Sequence, residues 1–297
     1  MTNNKNNKSN ILMFGSYPQT IKEENVIIDK SENYKINFWD CFKGSDDNYY
    51  VEEIVSDPNN LNCNNITLSN GRKITSGEKL FFKIEPIKWN IITYDNNRKF
   101  LLSDKVLDCY PFDTHYDGEV VKERKINNNK IFPSNYEYST VRAFLNSLNG
   151  ESYDVDNFSN QGFIHKAFSK TELEQLKNTT VDNSISSICE CAQDILDSDL
   201  ENPNNTYDKV FLLSLREIEK LDESYLTKYA TDYALIKGVP TVFGKNNSCC
   251  WWLRSPDWTE MYGIAKVEAA CVDAQGCYDI GIHVDLFNGI VPAIYIV

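Results

Sequence analysis

The fold of this protein depends on one stretch near the C-terminal end, Cys249-Cys250-Trp251-Trp252-Leu253-Arg254-Ser255-Pro256. Tryptophan and arginine are over-represented at binding hot spots because they bury a large area and keep a polar handle. Successive side chains of a strand point to opposite faces, so Trp251 should lie with Leu253, and Trp252 with Arg254. Two interpretations stay open: both indoles are buried structural residues, or Trp252 and Arg254 face a second layer or a groove that holds a ligand.

Composition indicates a globular chain with an acidic surface. The 297 residues are 41% hydrophobic, enough for a substantial core, and the formal net charge is −13. A nucleic-acid or anionic-membrane partner would require a basic face, so neither partner is expected. No run of 18 apolar residues occurs, and residues 1–9 lack the apolar core of a secretory signal. We therefore predict a cytoplasmic protein that begins with a disordered polar tail.

Cysteine usage predicts reduced thiols rather than disulfides or a metal site. The nine cysteines are odd in number and include no CxxC pair. The spacings at Cys189–Cys191 and Cys249–Cys250 are not those of a zinc site, and only His115, His165 and His283 are available as imidazole ligands. We expect no metal and no cofactor.

The first half of the chain predicts strands separated by long polar segments. Residues 11–15 are a short apolar run before a turn, and residues 85–92 and 99–103 flank Asp95-Asn96-Asn97 as a β-hairpin, with Ile87, Trp89 and Ile91 on one face. Residues 21–80 and 108–138 are rich in Asn and Asp, and we predict them to be inserted loop regions. The first should contain a short hairpin or two, with one strand near Tyr49.

The second half predicts short helices followed by a β-rich tail. Ser139 precedes a helix that extends to residue 148, and capping boxes at residues 169–172 and 214–217 begin two more. Residues 185–199 and 224–237 are further helical candidates, and residues 208–213 form a strand. The tail strands are predicted at residues 251–255, 263–272, 277–285 and 290–297.

These segments together resemble a bacterial family of domains of unknown function, family 6273. The segments that carry the resemblance are Phe14-Gly15-Ser16-Tyr17-Pro18-Gln19-Thr20, Glu85-Pro86-Ile87-Lys88-Trp89, Leu101-Leu102-Ser103-Asp104, the positions Ser139, Arg142, Leu145 and Asn146, Ala167-Phe168-Ser169 with Glu172, residues 208–214 with Glu217, Tyr233-Ala234, and residues 251–256. They occur in order from residue 14 onward, which predicts a single domain over residues 10–297, with residues 10–20 in the same sheet system as residues 263–297.

The resemblance implies an α+β, C-type-lectin-like fold of mixed or antiparallel sheets with short helices and long inserted loops. Such folds are related to sulfatase-modifying enzymes and to binding domains whose surface loops vary freely. The chain departs from the family at Gly289-Ile290-Val291-Pro292-Ala293, where Val291 stands in the place of an arginine. An anion-binding or ligand-binding role of that arginine is therefore not expected here.

Few residues suggest catalysis. Ser255 lacks the G-x-S-x-G elbow of a nucleophilic serine, and we expect His165 and His283 to be buried or half-buried structural imidazoles. The acidic loops at Asp46-Asp47 and Asp154–Asp156 lack the spacing of an EF-hand, so solvated loops are favoured over calcium sites. Arg254 is expected either to bond backbone carbonyls or stack on a tryptophan, or to recognise a ligand directly.

The first functional hypothesis is a non-enzymatic binding domain for an unknown protein, small molecule or carbohydrate. Its predicted ligand-binding residues are Trp251, Trp252, Arg254, Asp257, Trp258, Glu260 and Tyr262. A second hypothesis is an enzyme of the sulfatase-modifying type, in which Cys271 and Cys277 would hold copper if both sulfurs converge. A third is a structural or phage-encoded assembly protein whose aromatic faces are subunit contacts.

Overall fold

The computed structural model describes residues 10–56, 66–95, 97–116, 124–126, 129–150, 157–187, 204–241, 247–257, 267–278 and 280–297. The strands, in chain order, are β1 (Ile11–Ile21), β2 (Ile28–Ile36), β3 (Trp39–Gly44), β4 (Tyr49–Ile54), β5 (Lys79–Asp95), β6 (Arg98–Ser103), β7 (Asp108–Pro111), β8 (Arg124–Ile126), β9 (Asn129–Ile131), β10 (Thr179–Val181), β11 (Thr206–Asp208), β12 (Val210–Phe211), β13 (Lys228–Tyr229), β14 (Ser248–Cys249), β15 (Trp251–Pro256), β16 (Glu268–Val272), β17 (Ile280–His283), β18 (Phe287–Ile290) and β19 (Ala293–Ile296). The helices are α1 (Thr140–Asn146), α2 (Phe163–Ala167), α3 (Lys170–Gln175), α4 (Leu215–Ile218) and α5 (Asp232–Ile236). The result is a mainly antiparallel α+β structure.

The larger sheet is built on the long strand β5. Among the described residues it has eight strands. Seven follow the order β12-β19-β6-β5-β4-β3-β2, and the eighth, β1, pairs with β5. The predicted hairpin is confirmed as β5–β6, which pair between Trp89 and Ser103 at one end and between Asp95 and Arg98 at the other. Ile87, Trp89 and Ile91 are all buried, as their alternation predicts.

Residues 21–80 contain more regular strand structure than the predicted loop region with a short hairpin or two, and the expected strand at Tyr49 is β4. Strands β2, β3 and β4 form an antiparallel meander that extends the larger sheet. Strand β2 lies at the sheet edge and exposes nearly all its polar side chains, so its sequence lacks the apolar alternation by which a strand is usually identified. Residues 57–65 of this segment lie outside the described residues.

The smaller sheet has the order β17-β16-β15-β18-β7 in the described part of the chain, with β15 at its centre. Strand β7 comes from the segment predicted as a second loop insertion, so that prediction is wrong there. Strands β15 and β18 are parallel and meet at Trp251 and Gly289. A Cβ atom on Gly289 would lie 2.5 Å from the carbonyl oxygen of Cys250, so only glycine allows this close approach.

The two ends of the chain share the larger sheet only in part. Strand β1 and the last strand, β19, both belong to it, as predicted. Strands β16, β17 and β18 of the tail belong to the smaller sheet, so the prediction is wrong for them. The reason is that residues 291–292 carry the chain from β18 in one sheet to β19 in the other.

Helices α1, α3 and α4 begin where the sequence predicts and are shorter than predicted, whereas α2 was not predicted. Ser139 caps α1, and both capping boxes are present, at Ser169 for α3 and at Ser214 for α4. The predicted helix over residues 224–237 is instead a 3-10 turn, strand β13 and helix α5. Residues 185–187 form a 3-10 turn, and residues 188–199 of that helical prediction lie outside the described residues.

One continuous apolar core joins both sheets and includes the faces of α1, α2 and α5. Strand β15 is covered on both sides, because Trp251 and Trp252 point in opposite directions and each is fully buried. In the described residues, no helix has the length and apolar character needed to cross a membrane.

Candidate functional site

The two adjacent tryptophans are packing residues with satisfied polar atoms. Trp251 Nε1 donates to the carbonyl oxygen of Leu226 at 3.0 Å, and Trp252 Nε1 donates to that of Tyr110 at 2.9 Å. The interpretation of both indoles as buried structural residues is therefore confirmed. The surface that we predicted for ligand contact does not include either ring in this structure.

Arg254 is 3% exposed and holds three segments together. Its Nη1 donates to the carbonyl oxygen of Leu212 at 2.7 Å, its Nη2 donates to that of Asp182 at 3.0 Å, and the guanidinium is paired with the Glu217 carboxylate. A planar guanidinium suits this arrangement because its donors form a fixed fork. Backbone bonding, one of the two roles expected for Arg254, is thus what the structure shows, and its donors face the protein interior.

The same kind of internal contact recurs at the other segments that carry the resemblance. Arg142 on α1 donates from Nε and Nη2 to the buried carboxylate of Asp208, at 2.8–3.0 Å. The Asn146 side chain donates to the carbonyl oxygen of Val210 at 2.7 Å. Glu172 accepts from the backbone N–H of Gly15 at 2.9 Å as well as closing its own capping box. These polar residues join helices to strands.

Asp257 lies at the end of β15 and is buried. Its backbone N–H donates to the carbonyl oxygen of Glu268 at 3.0 Å, and its side chain lies against the backbone of Gly281, where an added Cβ would clash. Trp258, Glu260 and Tyr262 lie outside the described residues, so their ligand contact stays a prediction.

Two of the three histidines, His115 and His283, lie near the end of β15. His283 Nε2 is 3.2 Å from the Glu268 carboxylate, and its ring stacks on Tyr116 at 5.8 Å. The neighbouring His115 Nδ1 is 2.7 Å from the buried carboxylate of Asp113, which leaves Nε2 free to accept a hydrogen bond when Nδ1 carries the proton. The expectation of a buried His283 is wrong, because its side chain is 47% exposed on the last residue of β17, whereas His165 is half-buried as predicted.

The thiols do not form a metal centre among the described residues, where no group of three or more His, Cys, Asp or Glu side chains could hold an ion. Cys271 is buried inside β16 and Cys277 is exposed on the turn that follows. Burial raises the pKa of the Cys271 thiol, which disfavours the thiolate that a copper ion would require. The six described cysteines are free thiols: Cys41, Cys109, Cys249, Cys250, Cys271 and Cys277.

A cleft of about 460 Å³ opens at the opposite end of β16 from the predicted loop. We call it the turn cleft. Its lining residues are Ile218, Glu219, Leu221, Glu223, Leu226, Gln275, Gly276, Cys277 and Tyr278. Its volume is within the range of small-molecule sites. Sequence reasoning missed this cleft, because its two walls are turns far apart in the chain.

Both walls of the turn cleft are fixed by capped turns. The Asp222 side chain accepts from the backbone N–H of Ser224 at 2.9 Å and begins one wall. The Asp273 side chain accepts from the backbone N–H groups of Gln275 and Cys277, each at 2.8 Å, and fixes the other. Gly276 has a φ of +91°, a conformation that favours glycine, and a Cβ there would lie 3.3 Å from Leu226 Cβ. The cleft is therefore formed before any ligand binds.

The floor of the turn cleft connects to the central strand β15. The carbonyl oxygen of Leu226, which accepts from Trp251 Nε1, belongs to a residue that lines the cleft. Ile218 is buried beside it at the end of α4, the helix that Arg254 fixes through Glu217. The buried tryptophan and arginine thus position the cleft without contacting its contents.

The sequence matches the family described as a domain of unknown function, DUF6273, over residues 96–297. Neither a curated protein nor a solved structure matches the chain. The match covers well over half of the chain and includes strand β15, the cleft-forming turns and both ion pairs of Arg142 and Arg254. The chain therefore belongs to the DUF6273 family.

Proposed function

We propose that this protein is a ligand-binding domain with a C-type-lectin-like architecture, and that its ligand is a small organic cation held in the turn cleft. The observation that carries the proposal is the cleft itself, a preformed concavity of about 460 Å³ with apolar side chains at its base and an acidic rim. The lectin-like part is supported by the sequence resemblance and by the mainly antiparallel sheets with short helices.

The charge of the rim selects the ligand class. Glu219 and Glu223 line the cleft, and no Lys, Arg or His side chain is among the described residues that line it. Glu219 is 3.2 Å from Arg216, so Glu223 contributes the less compensated negative charge. A chain with a net charge of −13 adds to the attraction for cations.

Leu221 and Tyr278, which are half-buried in the lining, offer apolar contact to the body of a ligand. Ile218 and Leu226 are buried at the base, and Leu221 is half-buried beside them. Tyr278 presents an aromatic side chain on which an ammonium group can rest. An alkyl or aryl amine satisfies both parts of the cleft, with its chain on the floor and its ammonium group toward the carboxylates.

Isothermal titration calorimetry tests the proposal with two probes of equal length and opposite charge, n-hexylammonium and n-hexanoate. We expect saturable binding of n-hexylammonium alone. Glu223→Gln should weaken it about fivefold, the value of roughly 1 kcal/mol for one partly exposed charge pair. The matched control Glu174→Gln removes the same charge from an exposed position on α3 and should leave binding unchanged. Equal binding of both probes, or none of either, would contradict the proposal.

A further inference from the structure

Away from the turn cleft, the described residues include a buried hydrogen-bond donor without an acceptor, where strand β3 meets helix α2. Trp39 on β3 is 6% exposed, and its Nε1 atom is buried with no hydrogen-bond partner among the described residues. A buried N–H without an acceptor costs free energy, so such a group in a folded protein needs an explanation.

Lys166 on α2 lies over the same indole. Its Nζ is 4.4 Å from the centroid of the Trp39 ring, and in the described part of the chain it has no hydrogen bond and no carboxylate within ion-pair distance. Burial lowers the pKa of Lys166, and this effect is partly offset by the carboxylates of Asp108 and Glu53 and reinforced by Lys237. We call these two residues the Trp39–Lys166 corner.

The acceptors around the corner are already occupied. Asp108 accepts from the Tyr17 hydroxyl at 2.5 Å and from the backbone N–H of Cys109 at 2.8 Å. Glu53 accepts from the Tyr233 hydroxyl at 3.1 Å and lies 3.7 Å from Lys237. Trp39 Nε1 and the Lys166 ammonium group are thus two donors at this corner that have no hydrogen-bond partner among the described residues.

The corner has defined aromatic walls. The rings of Tyr17 and Tyr233 meet the Trp39 ring edge-on, with centroids at 5.4 Å and 6.0 Å. The Lys166 and Lys237 side chains are only half-buried, so the corner reaches solvent on their side.

We infer that the Trp39–Lys166 corner binds an oxyanion, the carboxylate or phosphate group of a small ligand. One oxygen accepts from Trp39 Nε1 and the charge is compensated by Lys166. A charge-assisted hydrogen bond of this kind is stronger than a neutral one. The corner is distinct from the turn cleft, which is acidic, and it lies partly in strand β3, N-terminal to the family match.

The indole N–H signal of Trp39 in a ¹⁵N-correlated NMR spectrum tests the inference. It is assigned by its loss in Trp39→Phe and is followed during titration with sodium acetate or sodium phosphate at constant ionic strength, with sodium chloride as the balance salt. We expect a saturable shift of this signal. Response to acetate alone assigns a carboxylate, and response to phosphate alone assigns a phosphate.

The variants connect the response to Lys166. Lys166→Gln should weaken binding about tenfold or abolish it, because the charged partner is removed. Lys166→Arg keeps the charge and should keep the saturable shift, and Lys170→Gln removes a charge from an exposed position on α3 and should leave it unchanged. The backbone amide spectrum shows whether each variant is folded. A wild-type signal that does not saturate with either anion overturns the inference, and so does an equal response in a folded Lys166→Gln variant.

Discussion

At the residue scale, two buried arginines form ion pairs that connect separate segments of the chain. Arg142 with Asp208 and Arg254 with Glu217 each place a guanidinium in the interior and give it a carboxylate and backbone carbonyls as partners. Such a pair adds little compared with a well-packed apolar alternative, but the loss of one partner leaves the other charge buried. The sequence indicated Arg254 as an important residue; only the fold shows that its importance is internal.

Arg254→Leu should lower the free energy of unfolding by about 2–4 kcal/mol, because the carbonyl oxygens of Leu212 and Asp182 lose their donor and the part-exposed Glu217 carboxylate loses its partner. Urea denaturation measures the change. The matched control is Arg72→Leu, since Arg72 pairs with Glu78 at an exposed position and should cost under about 1 kcal/mol. Similar losses in both variants would show that Arg254 is not the interior lock described above.

Trp252→Ala should cost about 3–5 kcal/mol, the range for a fully buried large aromatic side chain. Phe38→Ala is the comparison, because Phe38 is an exposed aromatic residue. Thermal unfolding followed by far-UV circular dichroism gives both values. If Trp252→Ala melts within a degree or two of wild type, the indole does not pack as the structure shows.

Lys228 should make stability rise with pH in an alkaline window. The side chain is buried, Nζ donates to the carbonyl oxygen of Ser103 at 2.8 Å, and burial lowers its pKa to about 8. An unfolded lysine titrates near 10.4, so between those two values the unfolded chain binds more protons than the folded one. The contribution of Lys228 to the free energy of unfolding therefore increases from pH 8 to pH 10.

Urea denaturation of wild type and Lys228→Met across that pH window isolates the effect of Lys228, because the other titrating groups are common to both proteins. The difference in unfolding free energy, wild type minus variant, should increase with pH. A difference that stays constant from pH 7 to pH 10 would show that the folded lysine titrates normally.

At the scale of elements, local patterns were predictable and long-range pairings were not. Helices α1, α3 and α4 each begin after a capping serine, and the capping boxes of α3 and α4 span only four residues. In the β5–β6 hairpin, the alternation of apolar and polar residues and the turn are likewise local features. Strand β7, Asp108-Cys109-Tyr110-Pro111, has no such pattern. It is a strand because it pairs with β18 from the far end of the chain.

The turn cleft escaped prediction for the same reason. Its walls come from a 3-10 turn at residues 223–225 and from the β16–β17 turn, and neither stretch has a chemical pattern that indicates a site. Trp251 and Trp252 suggest ligand contact because adjacent tryptophans are unusual in a sequence. Their burial depends on the layers that cover both faces of β15, which the sequence does not reveal. Tryptophans in a sequence indicate a large buried area as often as they indicate a ligand-binding site.

The boundary of the family match crosses a structural unit. The match begins at residue 96, between β5 and β6, which pair with each other along the larger sheet. A fragment of residues 96–297 loses β1 to β5 and exposes the buried face of Leu101 and Leu102. We expect this fragment to show no cooperative thermal transition, whereas residues 10–297 unfold cooperatively. A sharp transition of the fragment near that of the full chain would mean that the matched segment is a domain by itself.

At the scale of the whole molecule, the buried residues that stabilise the fold are separate from the turn cleft that we propose as the binding site. The arginine–carboxylate pairs and the two buried indoles hold the sheets and helices in place, and the turn cleft is the concave surface that this framework presents. The competing binding region that the sequence predicted follows β15. Of its residues beyond that strand, the structure describes Asp257, which lies against Gly281.

An NMR titration with n-hexylammonium distinguishes these two surfaces most directly, because backbone amide shifts locate the ligand. We expect saturable shifts at Thr227, Gln275 and Gly276, which form the walls of the turn cleft or contact them. The amides of Asp257 and His283 at the other end of β16 should not move. Shifts confined to Asp257 and His283, or no saturable shift in the amide spectrum, would contradict the assignment of the turn cleft as the ligand-binding site.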